Sequence, residues 1–307
     1  MSRGLAAAFR RLAAGAAVVT LFAGPSEAHA AAPAPIHAIG AENFYANVIS
    51  QIGGRYVAVT AILSNPNTDP HSYESSTADA SAIASADLVV QNGIGYDGFM
   101  NKMEAASPRA GRTVIDVGSA LGFKAGDNPH LWYRPQTMPY VAALVERELA
   151  RRDPQHAAEF EANRRRFVSS LRPWTAELTA LHHAYAGTPV AVTEPVFNYT
   201  AQTIGLAVRT PASFQLAIEE GNDPAPQDVA QVRALLASRA VRVFIYNQQT
   251  VEPTTAQLLD VARSAHVPVV GVYETMPPGL TYQSWMKAEA DAVGGALRDG
   301  RSTESLK

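Results

Sequence analysis

The chain has 307 residues, a formal net charge of -3, 47% hydrophobic and 17% charged residues, and no cysteine. That length holds two domains of ordinary size with a sizeable core. The charge balance excludes a nucleic-acid binder built on a broad basic face, and the lack of cysteine excludes disulfides, thiolate metal sites and a cysteine nucleophile.

Residues 1–30 read as an export signal. Arg3, Arg10 and Arg11 form a basic n-region, residues 12–24 a short apolar run, and Ala28-His29-Ala30 a small-residue cleavage site. The pair Arg10-Arg11 suits a twin-arginine signal as well as a plain secretory one. No cysteine follows the apolar run, so no lipid anchor is expected and the mature product belongs in the periplasm. From residue 36 the chain alternates strand and helix patterns. Strands are expected at 36–41, 57–63, 88–92 and 113–117, with helices at 44–52 and 75–85. Residues 135–185 carry no strand signal. An amphipathic helix is expected at 138–151, and Asp153-Pro154 then reads as a cap followed by a first-turn proline. Beyond it Phe160, Phe167, Leu171, Trp174, Leu178 and Leu181 recur at helical spacing. This predicts one helix of about thirty residues, roughly 45 Å long, kinked at Pro173. Arg164-Arg165-Arg166 points to different sides of such a helix and reads as a solvated face. Strands follow at 189–193, 206–208, 241–246 and 267–272, with helices at 228–238 and 254–266.

Most of these strand runs are continuously apolar, as in parallel sheets covered on both faces. The expected fold is therefore α/β: two Rossmann-like lobes with parallel sheets, residues 31–150 and 187–300, joined by one long rigid α-helix over 151–186. Residues 301–307 read as a disordered tail. Ligands in such sheets sit beyond the carboxyl ends of the strands, at topological switch points.

Four segments place a metal-ligating side chain there. They are Asp69-Pro70-His71-Ser72-Tyr73-Glu74, Asn128-Pro129-His130-Leu131-Trp132, Thr193-Glu194-Pro195 and Tyr273-Glu274-Thr275-Met276-Pro277-Pro278. The two histidine segments are near copies, with proline stiffening the backbone before each imidazole. Glu194 and Glu274 each end an apolar run beside a proline, where a carboxylate is costly to bury unless paired or metal-bound. Two imidazoles and two carboxylates fill the coordination shell of one divalent transition metal. The carboxylate pair also suits an acid and base of hydrolysis, but no nucleophile or substrate-positioning pattern accompanies it.

With those segments, Val192-Thr193-Glu194-Pro195-Val196-Phe197-Asn198-Tyr199, Gly221-Asn222-Asp223-Pro224-Ala225-Pro226 and the long central helix, the chain resembles the zinc/manganese substrate-binding proteins of ABC transporters, the TroA/ZnuA-like group. The resemblance covers residues 36–297. It implies two α/β lobes bridged by a rigid helix and a metal held between them. The group's two histidine ligands fall on His71 and His130, its third ligand (histidine or glutamate) on Glu194, and its fourth, usually aspartate, on Glu274. Glutamate at that last position is a departure, and residues 118–128 lack the histidine-rich loop of many zinc-specific members. The oxygen-rich set leans to Mn2+ and leaves Zn2+ open. The resemblance further implies a periplasmic monomer without catalytic activity. It would capture one divalent metal ion as transported ligand and hand it to an ABC permease, with no nucleic-acid partner. An exported metallochaperone and a secreted metallohydrolase using the same ligands are the alternatives.

Overall fold

The computed structural model describes residues 34–65 and 73–306. The expected signal segment 1–30 and His71 lie outside the described residues. Among those described, no helix is long and apolar enough to cross a membrane.

The first half runs β1 (Ile36–Glu42), α1 (Asn43–Gly53), β2 (Val57–Leu63), α2 (Thr77–Ser85), β3 (Leu88–Gln91), α3 (Gly98–Ala106), β4 (Thr113–Asp116), α4 (Val117–Ala120) and α5 (Thr137–Arg152). Next come α6 (Ala157–Ser170) and α7 (Arg172–Tyr185). The second half runs β5 (Pro189–Val192), α8 (Asn198–Ile204), β6 (Ala207–Val208), α9 (Ala212–Glu219), α10 (Pro226–Ala237), β7 (Phe244–Asn247), α11 (Pro253–Ser264), β8 (Val269–Val272) and α12 (Tyr282–Asp299). The strands form two 4-stranded sheets of the same topology, β2-β1-β3-β4 and β6-β5-β7-β8. All pairings are parallel, with Ile39 against Thr60 and Val89 in one sheet and Ile245 against Val192 and Val270 in the other. Strands β3, β7 and β8 are buried at every position, which is why they read as unbroken apolar runs. In each sheet the chain leaves its first strand to one side and returns on the other. The switch points therefore lie between β1 and β3 and between β5 and β7, with all carboxyl ends on one edge.

The expected thirty-residue helix is two helices meeting at Leu171, which keeps right-handed helical angles (φ -79°, ψ -12°). The break falls two residues before Pro173, whose missing N–H cannot close the ladder back to Ser169. Helix α6 packs on α1 and α5 of the first half, and α7 on α8 and α12 of the second. The rod is not the sole bridge. The start of α12 reaches α1, where Tyr282 N–H donates to Asn47 Oδ1 (3.1 Å) and Gln283 pairs with Gln51. One apolar core runs through both halves, with Phe44 stacked on Trp132 at 4.6 Å and Trp174 edge-on to Tyr282 at 6.0 Å.

Residues 301–306, expected as a disordered tail, instead lie along β8. Thr303 pairs parallel with Val270; its N–H donates to Val269 O and its carbonyl accepts from Gly271 N–H, both at 2.9 Å. The Glu304 carbonyl accepts from Tyr246 Oη (3.1 Å), and its carboxylate holds Arg263 at 2.6 Å. β8 would otherwise leave a row of unpaired backbone groups at the sheet edge. A Cβ on Gly271 would meet Glu304 O at 2.2 Å. Gly271→Ala should therefore speed amide exchange at Thr303 and lower stability by about 1–3 kcal/mol in chemical denaturation; unchanged exchange would contradict the edge pairing.

Candidate metal site

His130 sits in the loop between α4 and α5, one residue before a buried turn over Leu131–Tyr133. It is fully buried. Its ring is oriented by Asn128, whose Oδ1 accepts both the His130 backbone N–H (3.0 Å) and the ring Nδ1–H (2.7 Å). Asn128 Nδ2 donates in turn to Pro195 O in the other half, at 2.9 Å. Those partners fix the amide orientation, and an amide oxygen only accepts, so Nδ1 carries a proton toward Asn128 and Nε2 is the ring nitrogen turned into the site. Nε2 lies 3.4 Å from Glu274 Oε2.

Glu194 and Glu274 stand just beyond β5 and β8, and Asn247 ends β7 between them. All three are at most 2% exposed. The Asn247 Nδ2 group donates to Glu194 Oε2 at 2.8 Å and to Glu274 Oε1 at 2.6 Å. Tyr96 Oη donates to Glu274 Oε2 at 3.0 Å from the other half. The Glu274 backbone is equally pinned: Glu274 and Thr275 N–H donate to Gln249 Oε1 (2.6 and 2.7 Å), and Asn43 exchanges hydrogen bonds with the Met276 backbone. Burial, then the charge of Glu274, push the Tyr96 phenol well above its usual range, so it stays a donor.

Tyr96 is presented by a tight loop in which Gly93, Ile94 and Gly95 all have positive φ (75°, 49° and 100°). Asp97 closes that loop by accepting from Asn92 and Gly93 N–H at 2.6 and 2.8 Å. Burial raises the Asp97 carboxyl to about 6, against the lowering effect of those two bonds. Glu219, on the last turn of α9, brings a third buried carboxylate to within 3.9 Å of His130 Nδ1. A cleft of about 550 Å³, lined by Tyr96, Asn128, Pro195, Leu216 and Glu219, opens above the site.

The structure thus brings together His130, Glu194 and Glu274; His71 lies outside the described residues. Among the described residues no three His, Asp or Glu side chains close on one point as a cage; Asn247 joins the two glutamates. Asn247, Tyr96 and Glu219 were not anticipated. Asn247 carries the same signal as Glu194 and Glu274, a polar residue directly after an apolar strand, and that rule would have found it. Tyr96 has no comparable signal, since its placement depends on the positive-φ loop.

A family profile described as "Zinc-uptake complex component A periplasmic" matches residues 41–296. The chain belongs to this family. Among its relatives is the manganese-binding lipoprotein MntA of Bacillus subtilis, 25% identical over 242 residues, covering 74% of this chain and 76% of that protein. The fold is shared with the FpvC binding protein of Pseudomonas aeruginosa, solved with Mn2+ (TM-score 0.71, 22% identity, 87% of this chain and 99% of that one). It is shared too with the cadmium-bound periplasmic metal-binding protein of Candidatus Liberibacter asiaticus (TM-score 0.69, 18% identity, 85% and 99%). The expected two-sheet α/β architecture is thereby that of the family.

If Asn128 sets the tautomer of His130, Asn128→Ala should lower divalent-metal affinity by about 10–100-fold, the usual cost of losing an orienting partner, with the circular dichroism spectrum unchanged. Unaltered affinity by calorimetric titration would remove Asn128 from the site.

Proposed function

We propose that the protein is exported to the periplasm, where it captures one divalent transition-metal ion, manganese or zinc, and delivers it to the permease of an ABC transporter without catalysis. The ligands in this reading are His71, His130, Glu194 and Glu274. One observation carries it: a buried imidazole whose Nε2 faces a buried carboxylate, with a second carboxylate tied to the first through Asn247. Buried acidic groups gathered around an imidazole are favourable when a cation joins them.

The family supports transport, and the names of its relatives extend the reading to metal type. MntA is described as manganese-binding, and YfeA of Yersinia pestis, 23% identical over 209 residues, as iron-binding. Two oxygen donors beside two nitrogens suit manganese at high coordination and zinc at low coordination. Because zinc outcompetes manganese at most sites of this kind, the metal carried in the cell is decided by elemental analysis of protein taken from its native compartment without chelator.

In solution the purified chain should bind one Mn2+ or Zn2+ per molecule. His130→Ala should weaken binding by more than about 100-fold, beyond the loss expected for an outer partner. Full-strength binding by this variant in a competition titration would place the metal elsewhere.

A further inference from the structure

Glu289 lies midway along α12, 1% exposed, and belongs to none of the groups described above. Its Oε1 accepts from Trp285 Nε1 (2.7 Å) and from Tyr273 N–H (3.1 Å). Its Oε2 lies 2.7 Å from Tyr133 Oη. Tyr133 Oη also lies 2.7 Å from Tyr273 O, and accepts more loosely from Tyr273 N–H at 3.3 Å. A phenol has one hydrogen. It cannot donate to a carbonyl and a carboxylate at once, and two bare oxygens do not rest 2.7 Å apart in a buried site. A carbonyl has no proton to give, so the second proton comes from Glu289. The consistent arrangement is a relay: Glu289 Oε2–H donates to Tyr133 Oη, and Tyr133 Oη–H donates to Tyr273 O. Oε1 then serves both N–H donors, and every polar atom of the carboxyl group is satisfied.

The relay ends on both halves of the candidate site. Tyr133 closes the turn that starts at His130, where its N–H donates to His130 O at 3.1 Å. Tyr273 directly precedes Glu274. Through α12 the same helix holds α1 of the first half.

We propose that Glu289 is held as a neutral carboxylic acid and acts as a positioning residue, locking the His130 turn to the Glu274 strand end so that the two sides of the metal site keep their separation. The link to metal rests on the site proposed above; the proton on Glu289 does not. The titratable groups facing Glu289 are the phenols of Tyr133, Tyr273 and Tyr282, and the charge of Glu274 reaches Tyr133 from the far side. Burial raises the Glu289 carboxyl to about 8, over the opposing effect of its hydrogen bonds with Tyr133, Trp285 and the Tyr273 backbone. Above the ordinary glutamate range the unfolded chain has released this proton while the folded chain keeps it. Stability therefore falls as pH rises toward 8 and levels off beyond.

The test compares Glu289→Gln and Glu289→Ala with the native full-length protein. Glutamine places an acceptor at Oε1 and a donor at the Oε2 position, so it reproduces the relay and cannot titrate. Its second amide hydrogen adds a cost that does not vary with pH. In metal-free protein, the melting temperature of Glu289→Gln relative to native should rise steadily from pH 5 to pH 8 and then stay level. At pH 7, Glu289→Gln should bind Mn2+ within about threefold of native, whereas Glu289→Ala, which leaves Tyr133 without its donor, should lose about 10–100-fold. A melting difference that does not change with pH would show Glu289 ionised and overturn the proposal. Equal losses of Mn2+ affinity in both variants, or full affinity in Glu289→Ala, would overturn the positioning role. Should Glu289→Ala fail to fold, the Glu289→Gln comparison still decides. Failure of the metal site itself is separately visible as undiminished Mn2+ binding by His130→Ala, and leaves the pH-dependent melting difference intact.

Discussion

Two buried carboxylates share the amide group of one asparagine, and a buried imidazole stands with Nε2 3.4 Å from one of them. Most of the surrounding structure can be understood as what this arrangement requires. Like charges in a low-dielectric cleft repel and lose hydration, so the chain must hold them by force of backbone. It does so with parallel sheets whose carboxyl ends share an edge, and with side-chain clamps on the loops that continue from them. Gln249 pins the backbone of Glu274, Asn43 pins Met276 from the opposite half, and Asn128 fastens His130 and Pro195 together.

The Asn43 and Asn128 clamps cross between the halves, as do the α6–α7 rod, the start of α12 and the continuous aromatic core. A molecule joined at so many points is stiff. Backbone positions around Glu274 and His130 are thereby fixed, while the two glutamate side chains are engaged by Asn247.

The strands were legible because sheets covered on both faces write continuous apolar runs, and every expected run became a strand. Helix α12 has a stripe at helical spacing, Tyr282, Trp285, Met286, Glu289, Ala290 and Val293, but the glutamate on that stripe and the paired Gly294-Gly295 interrupt its apolar signal. The polar tail reads as disordered from its sequence, whereas the edge of β8 supplies it with backbone partners. At the site, the proline-flanked His130 and the two strand-end glutamates were legible from local context alone. Asn247 shares the strand-end signal of the two glutamates, but Glu289 does not, since one polar residue within a helix does not announce which groups the fold will bring to it.

The central claim is that His130 and the two glutamates bind one ion together. Anomalous diffraction from crystals of the Mn2+-loaded protein tests it most directly. The account predicts a single peak within bonding distance of His130 Nε2, Glu194 and Glu274, with Asn247 displaced from at least one carboxylate oxygen. A peak bonded elsewhere, or one that leaves the Asn247 bridge intact and His130 Nε2 without a metal bond, would contradict it.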